Sequence, residues 1–421
     1  MNSQVTDSGR KVIIVGGGVI GAFAAYYLRR TGRDVTIVEQ NRFGAACSHG
    51  NCGYVSPSHV QPLPRPGQIL NGLKGLFSTQ RALRIKPQLS PSFWMWMLNF
   101  ASRCNMRDVR EAGKARHALL QSSKTLYEQV IAEEKLQVDW TQDGLLFVYR
   151  DKHEFEAYRR TNEWLTREFG VAAEEVRGSD ALTELEPALK PGLAGAWWYR
   201  IDSHLRPSRL MSELRRVLEN QGVHIIEQTE VKGWTPSCGK ATAVRTTAGE
   251  IAADEFVVCT GSWTPFLNDA LGCRIPIQPG KGYSLTMPRP KRCPRYPMIL
   301  EECHVAITPF ADGYRVGSTM EFAGYDTTLN RKRLNYLRSG AAQYLHEPTT
   351  EPIEEEWYGW RPMTTDGKPY IDRAPAFNNV WVAAGHNMLG ISMGTATGKL
   401  ISELVTEQAP HIDVEPFHIG R

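Results

Sequence analysis

Apolar residues run unbroken from Val12 to Val15, stop at Gly16-Gly17-Gly18, and give way to a helical stretch that ends before Gly32. A second run, Val35–Val38, all β-branched, stops at Glu39. This pattern predicts a strand, a glycine turn, a helix and a second strand ending in an acid. Residues 41–68, rich in Gly, Ser, Asn and Pro, read as extended chain. Spacing near 3.6 predicts helices over 89–104, 111–134, 151–169 and 179–187, so 69–200 reads as mainly helical, with one strand at 144–149. A helix at 206–221 and a strand at 223–226 follow. Short strands are expected at 230–234, 241–247 and 250–253, then a buried strand at 256–261. Further strands are expected at 282–287, 305–309 and 314–319, with a helix at 329–345. The end repeats the opening: a strand at 380–384, a glycine turn from Gly385 to Gly390, and a helix at 392–406.

The expected fold class is α/β, an α+β composite of two interleaved domains. One, Rossmann-like, draws on 1–60, 201–272 and 356–421. The other, a sheet with helices, draws on 61–200 and 273–355. A ligand held between them would touch every piece.

The opening motif has a chemical reading. Gly16 permits the tight turn, Gly18 leaves room for a pyrophosphate, and Gly21 lets the helix pack close to the sheet. Val19 and Ile20 then begin a helix whose free N–H groups favour an anion. Glu39, 23 residues after Gly16, is placed to bond a ribose hydroxyl. These features point to an adenine dinucleotide without choosing between FAD and NAD.

Composition narrows the rest. The 421 residues are 42% hydrophobic and 22% charged, enough for a large core. A net charge of +4 without a basic block argues against nucleic acid. The polar first ten residues argue against a signal peptide, and no run of 18 apolar residues suggests a membrane span. Eight cysteines lack CxxC or zinc-like spacing, so reduced thiols, no metal and a cytoplasmic setting are expected. Cys47 and Cys52 lie in the stretch after the second strand.

Several separated motifs resemble the D-amino-acid oxidase superfamily of flavoproteins, and within it the bacterial D-amino-acid dehydrogenases. They are Ser48–Pro57, Thr260-Gly261-Ser262, Pro279–Leu285, Gly359–Gly367, and Ala384-Gly385-His386 with Gly390. The resemblance implies FAD, bound in a glutathione-reductase-type domain. Ser48 and Asn51, with Gly53 beside them, would follow the phosphates and ribityl chain. Val231 would hold the adenine, and Thr260 and Gly261 would line the same site. Gly385, Gly390, Ile391, Ser392 and Met393 would bring the last helix to the flavin pyrimidine. No Cys occurs in Gly359-Trp360-Arg361-Pro362, where part of the family links its flavin, so the FAD is expected to be noncovalent.

The resemblance also makes Arg361 the substrate-carboxylate residue, with an ion pair to Asp366 as its structural alternative. The related glycine oxidases have an arginine where Met388 stands and a tyrosine where Ala306 stands. His304, two residues before Ala306 and so on the same strand face, is a pocket candidate together with Tyr283. His59 and His386 are expected near the flavin ring. No acidic or second basic pocket residue is evident.

The expected activity is FAD-dependent dehydrogenation of D-amino acids, D-proline or a hydroxy-D-proline among them, by hydride transfer from the α-carbon to flavin N5. Alternatives are a glycine- or sarcosine-type oxidase and a non-catalytic flavoprotein assembly factor. The expected partners are the small-molecule D-amino or imino acid and a respiratory quinone or other electron carrier. Peripheral contact with the inner face of the cell membrane is also expected. Its basis is Ile69, Leu70, Leu73, Leu76 and Phe77, then Phe93–Leu98 and Phe100, with Lys74, Arg81, Arg84 and Lys86 between.

Overall fold

The structure is a computed structural model and describes residues 9–69 and 82–421. Two large sheets dominate it. The first has six strands in the order Tyr370–Arg373, Val380–Ala384, Glu255–Val258, Lys11–Val15, Asp34–Val38, His224–Ile226. All neighbours are parallel except the first pair. Lys11–Val15 is central, and four of its five residues are buried, which explains its unbroken apolar run.

Helices Val19–Arg30 and Gly390–Val405 pack together over this sheet. The long helix Met106–Glu134 completes the layer. Its inner face, with Leu119, Leu120, Tyr127 and Val130, joins the same core as Phe23 and Leu400. Each such buried side chain contributes about 1.5–3 kcal/mol. The Tyr127 hydroxyl donates to the Ile391 carbonyl at 2.8 Å. This helix was expected in the second domain, but its apolar stripe is spent on the first.

The second sheet has nine strands and is mixed. Its main path runs Glu355–Met363, Gln278–Met287, Tyr314–Phe322, Val305–Pro309, Met298–Leu300, Leu145–Tyr149, Gly195–Tyr199, Glu174–Arg177. Leu83–Ile85 pairs with Tyr314–Phe322 outside this path. The boundary expected at 356 falls within Glu355–Met363, which pairs with Gln278–Met287 along its length. The 69–200 region is also less helical than expected, because Gly195–Tyr199 and Glu174–Arg177 are strands.

One face of the sheet packs on helix Arg331–Ala341 through Leu146, Val148, Tyr283, Leu285, Leu300, Val305 and Ile307. Residues of opposite parity (Phe147, Ile299, Ala306) line a cavity on the other face.

Candidate active site

The cavity encloses about 980 Å³ and reaches from the Lys11–Val15 strand to the larger sheet. Gly16, Gly18, Val19, Ile20 and Glu39 line its first end, with Val231, Thr260 and Gly261 opposite. Gly16 has φ +109°, and a Cβ there would lie 2.6 Å from the Cys259 carbonyl oxygen. Gly21 is the contact point of helix and turn: its Cβ would lie 2.0 Å from the Gly16 oxygen, so it shapes the site from outside the lining.

Gly18 is different. A Cβ there would meet only Ser48 Oγ, at 3.5 Å, so the space before it is open cavity. Ser48 Oγ accepts from the Val19 N–H at 2.9 Å, which leaves its own proton for an acceptor beyond. A bare glycine, a hydroxyl and the helix N-terminus thus face one lane, a donor set that fits a pyrophosphate. Glu39 lines the same end, and its carboxylate accepts from the N–H groups of Gly17 and Asn41 at 2.8 and 2.9 Å. Burial raises its pKa.

Gly390, Ile391 and Ser392 bring the start of the last helix to the middle of the cavity. Ser392 Oγ donates to the Tyr54 carbonyl at 2.6 Å. Asn51 lines this part and accepts from the Gly53 N–H at 2.8 Å. Besides Gly21, three more of the residues expected to hold the cofactor do not line the cavity. Gly53 is a chain-crossing glycine, since a Cβ would lie 2.0 Å from the Leu205 oxygen. Gly385 abuts Thr364, whose Cγ2 would lie 2.7 Å from a Cβ. The helix turn rotates Met393 into the core.

At the far end stands Arg361. Its Nη1 donates to the Thr319 carbonyl at 2.6 Å and its Nη2 to the Ser318 carbonyl at 3.1 Å. Gly282 makes room for it, since a Cβ there would lie 2.4 Å from the guanidinium carbon. Asp366 is taken by Arg421, at 2.7 Å, and by Lys368, so the expected ion-pair alternative is not formed. Arg361 has no ion pair among the described residues. Burial lowers its pKa, while the Cys52 and Cys47 thiols act in the opposite sense. Two of its five N–H donors are used, and three remain for a ligand.

His304 and Ala306 both line the cavity, but His304 occupies a turn at φ +49° just before the strand, not the strand face that the spacing predicted. Tyr283 must be corrected. It shares the parity of Leu285 and Met287, so it points into the core, where its hydroxyl donates to Glu321 at 2.7 Å. His59 and His386 line the cavity as neutral rings. Burial lowers them to about 4 and about 3, and Arg116 adds to the effect at His59. Cys47 and Cys52 also line it, and burial pushes both thiols up, Cys47 to about 12, so they stay protonated and unreactive.

Sequence reasoning missed Arg65, Phe147, Tyr158 and Glu301, all of which line the cavity. An acid at the close of the apolar run 298–300 was the available signal for Glu301.

A family model described as FAD dependent oxidoreductase, DAO, matches residues 11–404. A D-amino acid dehydrogenase of Xanthobacter autotrophicus is 30% identical over 98% of this chain and 99% of its own. One of Methylobacterium nodulans is 32% identical with the same coverage. Among solved structures, glycine oxidase from Geobacillus kaustophilus matches with a TM-score of 0.80 at 22% identity, covering 98% of this chain and 99% of that one. L-proline dehydrogenase from P. horikoshii matches with a TM-score of 0.74 at 21% identity, covering 97% of each.

Proposed function

Since this chain belongs to the DAO family of FAD-dependent oxidoreductases, we propose that it is a D-amino-acid dehydrogenase acting on compact or cyclic D-substrates, D-proline and hydroxy-D-proline among them. The observation that carries this reading is Arg361: a guanidinium without a carboxylate partner among the described residues, facing the cavity that starts at the dinucleotide turn. A substrate carboxylate takes two of its free N–H groups. That grip fixes the α-carbon, and orientation contributes most of the rate.

Bound FAD, held without a covalent link by Gly18, Ser48, Glu39 and the start of the last helix, supplies the acceptor for the α-hydride. The amine must react in its neutral form. His59 and His386 assist by staying neutral near it, so they add no positive charge to the site. The imino product leaves as a cyclic imine, or hydrolyses to a 2-oxo acid and ammonia.

Met388 and Ala306 line the cavity where the resemblance sets an arginine and a tyrosine of glycine oxidases, which disfavours the oxidase reading. An assembly factor has no use for an open carboxylate grip.

Electrons pass to a quinone or similar carrier at a membrane surface. Helix Pro91–Ser102 buries Phe93 and Trp96 but exposes Trp94, Met95 and Leu98, with Leu89 beside them. Leu70, Leu73, Lys74, Leu76, Phe77 and Arg81 lie outside the described residues. Among the described residues, no helix is long and apolar enough to cross a membrane.

The test is anaerobic flavin bleaching by matched D- and L-amino acids, cyclic ones included. Bleaching by D-isomers supports the proposal. Faster bleaching by an L-isomer or sarcosine, or none by any amino acid, overturns it.

A further inference from the structure

The neighbouring acids Glu301 and Glu302 have different fates. The Glu302 carboxylate accepts from the N–H groups of Arg150 and Asp151 and from the Tyr344 hydroxyl. The Glu301 carboxylate has no hydrogen-bond or ion-pair partner among the described residues, yet it lines the cavity. Its main chain is held on both sides: its N–H donates to the Val148 carbonyl at 3.0 Å, and its carbonyl accepts from the His304 N–H at 3.2 Å. An unpaired carboxylate on a fixed turn costs free energy unless a ligand uses it.

Strand register relates Glu301 to Arg361. Ser318, whose carbonyl holds Arg361, pairs with Val305, and Val305 pairs with Leu300. Glu301 is the next residue, and it shares the cavity-facing parity of Ile299. Two strand spacings, roughly 10 Å, therefore separate the arginine's anchor from this acid across one row of the sheet. That span suits a compact substrate whose carboxylate meets Arg361 and whose side chain reaches Glu301.

We propose that Glu301 is a specificity-determining residue that accepts a hydrogen bond from a hydroxyl on the substrate side chain. The inference rests on the D-amino-acid reading above and deepens it. Charge selects a neutral donor over an ammonium. Arg65 lines the same end of the cavity and already offsets the charge of Glu301, so a second cation would meet it there. Burial pushes the Glu301 carboxyl up to about 7, opposed by Arg65 and reinforced by Glu302. His304, its own pKa lowered by burial, and the Tyr158 hydroxyl complete the surroundings.

The test uses FAD-loaded enzyme and two matched pairs, 4-hydroxy-D-proline (both ring epimers) with D-proline, and D-threonine with D-valine. Specificity constants are read with a dye acceptor. Wild type should favour the hydroxylated member in at least one pair. Glu301→Ala should reduce that ratio at least about tenfold and change the apolar member less than about threefold. Glu301→Gln, which keeps a carbonyl acceptor and the volume, should retain most of the ratio; for an ammonium ligand it would not. No hydroxyl preference in wild type, or an unchanged ratio in Glu301→Ala, overturns the subsite while leaving D-amino-acid oxidation standing. Failure of every amino acid to reduce the flavin overturns both.

Discussion

Arg361→Ala removes the whole grip on the substrate carboxylate. In the wild type the guanidinium is pre-positioned by two carbonyls and by the space above Gly282. Little ordering is left to be done when the substrate arrives. Truncating one member of a desolvated charge pair typically costs ~2–5 kcal/mol, roughly a 30-fold to several-thousand-fold fall in kcat/KM. The fold should tolerate the change. Ser318 and Thr319 line the cavity, so water can replace the lost donors, and the loss of stability should stay near 1–2 kcal/mol. The assay is stopped-flow flavin reduction by a D-amino acid, beside flavin content and a thermal melt. Arg361→Lys should also be impaired, because one ammonium cannot hold two carbonyls and a bidentate carboxylate together. Near-normal kinetics in both variants would put the carboxylate site elsewhere and refute the argument.

Gly282→Ala should displace the guanidinium while leaving FAD bound, so KM rises with flavin content intact; an unchanged KM would mean that the arginine position does not matter. Gly18→Val should fold but be nearly colourless, since its branches enter the open lane before the helix; full flavin occupancy would count against that lane as the pyrophosphate site. Heat or acid should release FAD from the wild type without proteolysis, and flavin that stays with the chain would contradict noncovalent binding. Asp202 accepts both the N–H and the hydroxyl of Ser58, yet burial raises its carboxyl from 3.8 to about 7. A raised carboxyl binds more protons in the folded state, so its contribution is complete below about 4 and is lost as pH rises to 7. Asp202→Asn should flatten that part of a melting-temperature profile, though not abolish it, since Glu255 and Glu301 are also raised to about 7. An identical slope in the variant would show that Asp202 is ionised in the fold.

The opening motif was legible because its signals are local. A glycine whose Cβ would strike a carbonyl, an apolar central strand and a terminal acid all lie within one stretch of chain. Strands Val305–Pro309 and Val380–Ala384 have the bounds expected of them for the same reason. Gly195–Tyr199 was not legible: all five residues are buried, so no alternation marks a strand, and its tryptophans suit a helix equally. Tyr283 failed on parity. Alternation shows that neighbours face opposite ways, but only the assembled sheet decides which side meets the cavity. Arg65 was invisible for a related reason, since it meets Glu301 across elements far apart in sequence, and the acid after the apolar run 298–300 marks Glu301 without showing what it faces.

The cavity draws its lining from Val15 near one end of the chain to Ser392 near the other. On the ribosome, the first glycine turn emerges long before the helix that closes the site. At a typical 5–20 residues per second the interval is about 20–75 s. For most of it the Lys11–Val15 strand lacks its Glu255–Val258 neighbour, and throughout it the Val19–Arg30 helix lacks Gly390–Val405. The cavity is therefore completed only once the Gly390–Val405 helix has been made, and a nascent protein short of that helix is one that quality-control proteases can still reach.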